Sequence, residues 1–237
     1  MNATMNVTLN AAMSRKRITW RAAYTTAIFL FGSLLLGFGL AIAASNLPMH
    51  IPEQTMNLIS LLLLLAILFT GGVLWGRAMA TVALSDQKKR LTWAGGLSFA
   101  PSLVLAGIAL SRLEQVIVER GDGPDLPVHV VFTLLFVPAA FFVAGIGGLA
   151  IGIALKDYKL AVRLALGAGL AAASAFLLVD LVMDAVGYRV GAPGAAERAT
   201  MLTVMMAGNL AASLAGGAAL GFILSGYPSK LTLTDEI

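Results

Sequence analysis

The sequence predicts an all-α polytopic membrane protein, a bundle of six transmembrane helices. Hydrophobic residues make up 59% of its 237 positions and charged residues only 12%, against roughly a quarter charged in a soluble domain. Six apolar runs are each long enough to cross a hydrocarbon core of ~30 Å as helix. Three of them, the second, fourth and sixth, carry one phrase: Gly71-Gly72-Val73-Leu74-Trp75-Gly76, Gly147-Gly148-Leu149-Ala150-Ile151-Gly152 and Gly216-Gly217-Ala218-Ala219-Leu220-Gly221. The spacing sets small residues four apart on one helix face, where another backbone can approach closely. Random placement of the 25 glycines would produce about 0.3 such phrases, so three copies are a signal.

The first run, residues 22–44, follows Arg15-Lys16-Arg17. Its length exceeds the ~7–15 apolar residues of a signal peptide, so it reads as a retained helix despite the cleavage-like Ala41-Ile42-Ala43. Residues 1–21 are expected to form a cytoplasmic N-terminal tail, partly disordered. The second run, 56–76, continues as helix past Arg77 toward Leu84. The third, 91–110, leads into Ser111 to Arg120, where Leu113, Val116 and Ile117 take one face and Arg112, Gln115 and Glu119 another, an amphipathic extension. The remaining runs are 129–155, 160–183 and 200–224. Pro48 and Pro52, Gly121 to Pro127, and Gly191 to Gly194 punctuate the loops. The transmembrane domain is thus 22–224, followed by a cytoplasmic C-terminal tail over 225–237.

Orientation follows from the basic residues. With the N-terminus inside, Arg15, Lys16, Arg17, Arg21, Arg77, Lys88, Lys89, Arg90, Lys156, Lys159, Arg163 and Lys230 are cytoplasmic, and only Arg112, Arg120, Arg189 and Arg198 lie outside. Twelve against four places both termini in the cytoplasm of an inner (plasma) membrane. The net charge of +4 is these flanking charges and not a nucleic-acid surface.

The glycine phrases all run from outside to inside. Either three helical-hairpin repeats or convergent packing explains them. The odd runs match in part: Gly96 lies six residues after Arg90 and Gly169 six after Arg163, but Ala27 stands six after Arg21. On both explanations Gly72, Gly76, Gly148, Gly152, Gly217 and Gly221 are helix-packing positions facing neighbouring helices.

Chemistry is sparse. Cysteine is absent, which excludes disulfides and thiolate sites. His50 and His129 are the only histidines, both at the outer boundary, so no metal or haem site is expected. Met201, Met205 and Met206 read as core filler rather than a Cu(I) path. Asp180 and Asp184 share a face about 25 and 31 Å along the fifth helix from Arg163, an outer acidic pair expected to be solvated. The midplane holds no charge. It does hold Ser33, Ser98, Ser102, Ser174, Asn209 and Ser213, about 14–24 Å from the nearest flanking charge. Pro101 and Pro138 lie there too, freeing the carbonyls of Leu97 and Leu134. Ser98, Pro101, Ser102, Pro138, Ser174, Asn209 and Ser213 are therefore the candidate pathway-lining residues.

No serine has a buried base and no acidic cluster has catalytic spacing, so neither an enzyme nor a cofactor is expected. Two function classes remain. One is a channel or permease-like protein for small neutral or dipolar solutes. The uncharged midplane argues against an ion-driven antiporter. The other is a non-catalytic complex subunit or scaffold whose glycine faces bind other membrane subunits or a second copy of the chain. The partner common to both is the lipid bilayer.

Overall fold

The computed structural model describes residues 2–45, 53–83, 87–119, 128–187 and 197–226. Among these it is all helical, with no strand. Helix α1 (Asn2–Thr26) passes through a π-helical turn (Ala27–Phe31) into α2 (Gly32–Ser45). Then come α3 (Glu53–Val82), α4 (Lys88–Glu119), α5 (Val128–Ala154), α6 (Tyr158–Ala185) and α7 (Glu197–Ser225). Helix α3 continues past Arg77, and α4 continues past the apolar run to Glu119. The side chains of that amphipathic extension and of His129 and Met201 lie outside the described residues, as do His50 and most of the C-terminal tail.

Helix α1 begins at Asn2, so the segment expected to be a partly disordered tail is helical. Among the described residues four helices are long and apolar enough to cross a membrane: Leu58–Val82, Thr133–Ala154, Tyr158–Ala185 and Leu202–Ser225. The first run is divided by the π turn, and its 14-residue α2 reaches only about 21 Å. Helix α4 starts on Lys88-Lys89-Arg90.

The helices pack in chain order, each on the next, and α7 returns to α1. Three glycine seams carry this order. A methyl at Gly72 would stand 2.5 Å from the carbonyl oxygen of Gly95, and Gly76 lies against Leu91, so α3 is pressed on α4. A methyl at Gly148 would stand 2.5 Å from the Leu164 carbonyl, and Gly152 lies against Ala161, which joins α5 to α6. On α7, Gly217 meets Thr26, and a methyl at Gly221 would stand 2.7 Å from Ala22 Cβ. Each seam is thus built on a backbone approach that any side chain would block. The seams lie between successive hairpins rather than within them. The facing helices α1, α4 and α6 answer in kind: the residue after the arginine, Ala22, Leu91 or Leu164, is wholly buried in each case.

One tight turn shows how α5 reverses into α6. Asp157 N donates to Gly152 O at 3.1 Å and Lys156 N to Ile153 O at 2.9 Å, with Lys156 at φ 59°. This is a Schellman stop, whose left-handed position glycine normally fills. The Asp157 carboxylate then accepts from Leu160 N at 2.9 Å and caps α6, satisfying a free helix-start donor.

The seams, together with Arg15 stacked 4.0 Å over the Phe222 ring, gather Arg15, Arg77, Arg90, Lys156 and Arg163 at one end of the bundle. We call this the basic end. A core of Ala22, Trp75, Met79, Leu91, Ile151, Leu164 and Leu220 fills the bundle just inside it. Two smaller cores continue away from it: Leu68, Phe99 and Ala100 between α3 and α4, and Ala172, Phe176, Val204 and Ala212 between α6 and α7.

Candidate functional site

The fifth position of each glycine phrase belongs to the layer that floors a cavity, Trp75 and Leu220 in its lining and Ile151 in the core packed with them. With glycines two and six of the phrase facing the next helix, the 3.6-residue period turns the fifth side chain toward the bundle interior. Trp75, Ile151 and Leu220 stand there, with 1%, 1% and 2% of their surface exposed. Trp75 is the largest, and it spans inside the bundle. Its Nε1 donates to Thr26 Oγ1 of α1 at 3.0 Å, and its ring edge lies against Gly147 of α5. Thr26 Oγ1 in turn donates to Ala22 O at 2.8 Å. The buried indole N–H therefore has the partner it needs. The π turn starts at the next residue, Ala27.

Above this floor is a cavity of about 570 Å³ to which α1, α2, α3, α4, α5, α6 and α7 all contribute. Its size is that of a small-molecule site, about 300–1,000 Å³. Leu61 and Ile108 belong to the lining and are exposed. They lie about 24 Å from Arg77 and about 27 Å from Arg90 along their helices, so among the described residues the lining extends from Trp75 near the basic end to this depth.

The wall is apolar, with no charged side chain among the described residues. Its polar side chains are Thr26, Trp75, Ser98, Asn209 and Ser213. Thr26 and Trp75 satisfy one another, and Ser98 Oγ donates back to Gly95 O at 3.3 Å. Asn209 Nδ2 donates to Met205 O at 2.8 Å. Asn209 keeps its amide oxygen and a second amide hydrogen, and with Ser213, one turn along α7, it lines the cavity.

The structure separates the candidate pathway residues. Ser98, Asn209 and Ser213 line the cavity. Ser102 is buried but not in the lining, and donates to Phe99 O at 2.9 Å. Ser33 sits against Gly71, donating to Phe29 O. Pro101, Pro138 and Ser174 are exposed and correct the expectation. Each stands four residues from exposed leucines or a phenylalanine: Leu97 and Leu105, Leu134 and Phe142, Leu170 and Leu178. These are outward stripes of α4, α5 and α6, so depth alone misassigned them. Asp180 also departs from expectation. It is 8% exposed, and Thr133 Oγ1 of α5 donates to its carboxylate. Asp184, one turn on, is half-buried and has interactions of its own. A buried acid within an apolar span needs such a donor.

Trp75 and Thr26 are the residues that sequence reasoning passed over. The signal was present: each phrase has a bulky apolar residue between its last small residue and its closing glycine, except that one copy spends a tryptophan there. Among the described residues no group of three or more His, Asp or Glu is placed to hold a metal ion. Neither a family model, nor a curated protein, nor a solved structure matches the chain.

Proposed function

We propose that the chain is a six-span inner-membrane protein, both termini cytoplasmic, that takes uncharged solutes into its central cavity and passes them across the bilayer. The first and third apolar runs complete the ring as spans, and the three hairpins act as repeats around the cavity axis. The observation that carries this reading is the cavity itself, ringed by every helix and reaching Asn209. Its uncharged wall suits neutral solutes, since an ion held there would lose its hydration without a partner. Passage requires the floor of Trp75, Ile151 and Leu220 to part. The scaffold alternative is weakened because the phrase glycines are already used inside the chain, against α1, α4 and α6.

The experiment is transbilayer transfer in proteoliposomes, over a panel running from urea and glycerol to a fluorescent long-chain alcohol. At least one class is expected to cross faster than in protein-free vesicles. Asn209→Leu is expected to slow that class about tenfold, the effect of one lost hydrogen bond in a dry site, with the melting temperature in detergent retained. Equal rates with and without protein for the whole panel would show that the cavity is not a pathway.

A further inference from the structure

We infer that the cavity selects a single uncharged chain bearing one hydroxyl, a long-chain aliphatic or isoprenoid alcohol drawn from the surrounding lipid. This rests on the cavity reading above and specifies its substrate class. Hydrogen-bonding capacity decides the class. Of the five polar side chains in the wall, Thr26, Trp75 and Ser98 spend their donors on the protein. What remains for a guest is gathered on one face of α7: the Oδ1 acceptor and second Nδ2 hydrogen of Asn209 and, a turn away, the Ser213 hydroxyl, while Ser98 Oγ keeps only its acceptor role. One guest hydroxyl can donate to Asn209 Oδ1 and accept from Ser213. A polyol would bury further hydroxyls without partners, which disfavours it. A plain hydrocarbon would leave Asn209 Oδ1 unanswered.

The rest of the wall fits a chain. Leu30, Leu34, Leu64, Leu68, Phe99 and Phe136 line it, a surface that favours an apolar guest over water. At about 30 Å³ per methylene-sized group, near a water's share of liquid volume, 570 Å³ takes on the order of ten to twenty carbons. Leu61 and Ile108, the exposed members of the lining, lie near the far edge of a hydrocarbon core of ~30 Å, within reach of lipid chains and of the aqueous phase on that side. The hydroxyl supplies the discrimination: in the cavity Asn209 and Ser213 stand in for the interfacial water and headgroups that partner it in lipid, and a hydrocarbon guest would leave them unpaired.

Trp75 on the floor is a built-in reporter. In a Trp20→Phe, Trp93→Phe background it is the sole tryptophan of the three. The probe is 11-bromoundecan-1-ol, whose bromine quenches indole emission on contact. Saturable quenching of Trp75 is expected, reversed by undecan-1-ol at concentrations at least tenfold below those needed with undecane, and not reversed by glycerol. Asn209→Leu is expected to weaken the alcohol about tenfold and Ser213→Ala about threefold, with undecane unchanged in both. If undecane competes as well as the alcohol, or if neither variant discriminates, hydroxyl recognition is wrong while the cavity stands. If glycerol competes equally, the chain requirement is wrong and the passage reading survives. If neither the bromoalcohol nor 1-bromoundecane quenches saturably, the cavity reading fails with it.

Discussion

Gly152→Leu is expected to abolish the folded bundle. Gly152 sits against the backbone of Ala161, and a side chain there would have to occupy the space of the Ala161 Cα and N. These are backbone atoms flanking the Lys156–Asp157 turn, held by the Gly152 carbonyl and the Asp157 cap. They cannot rotate aside as a flexible side chain would. Overpacking of ordinary cores costs about 1–3 kcal/mol. A backbone collision at a seam is expected to exceed that range, enough to remove most of a typical margin of about 5–15 kcal/mol. The measurement is thermal unfolding in mild detergent, followed by helical circular dichroism and by size-exclusion profile. The control is Gly39→Ala on α2, where a methyl meets nothing within 4 Å. It is expected to be neutral or stabilising by up to about 1 kcal/mol, the helix-propensity difference. Equal, mild effects at both glycines would show that the seams do not hold the bundle together.

Trp75→Ala is expected to act twice. Removing a fully buried tryptophan costs about 3–5 kcal/mol, and here it also strips Thr26 of its indole donor. The floor would be left to Ile151 and Leu220, and the cavity would connect to the basic end. Folded Trp75→Ala protein in proteoliposomes is therefore expected to leak small neutral solutes at least tenfold faster than the parent. Trp75→Phe, which keeps most of the bulk, is expected to leak little. A tight Trp75→Ala variant would mean that some other layer closes the bundle.

Much of the architecture was legible in the sequence because lipid imposes few options. Apolar runs of membrane length, basic residues between them and small residues four apart were enough to place the helices and the seam glycines. What escaped notice depended on tertiary contacts. The π turn at Ala27–Phe31 has no proline or internal glycine to announce it. It lies beside Thr26 and the Trp75 indole, and just before Ser33, which fills the space that a side chain at Gly71 would need. The left-handed Lys156 stands where glycine would have signalled the stop. Asp180 looked solvated from its distance along α6, yet Thr133 of another helix covers it.

The midplane residues teach a sharper lesson. Depth is one coordinate and face is another, and only depth was used for Pro101, Pro138 and Ser174. The face was readable as well. Large apolar residues stand at both i−4 and i+4 around each of them, the pattern of a lipid-facing stripe. Asn209 and Ser213 differ because Met205, Gly216, Gly217 and Leu220 continue their face.

The most direct measurement uses the absence of cysteine from the chain. Ser213→Cys is reconstituted in vesicles and treated with a small, membrane-impermeant thiol reagent, first from one side and then from the other. Arg15 marks the sides through a protease cut in the N-terminal segment. Labelling is expected from the side opposite Arg15 and not from the Arg15 side, with Ser174→Cys unreactive from both. Labelling of Ser213→Cys from the Arg15 side, or from neither side, would contradict a cavity closed at its basic end by Trp75, Ile151 and Leu220.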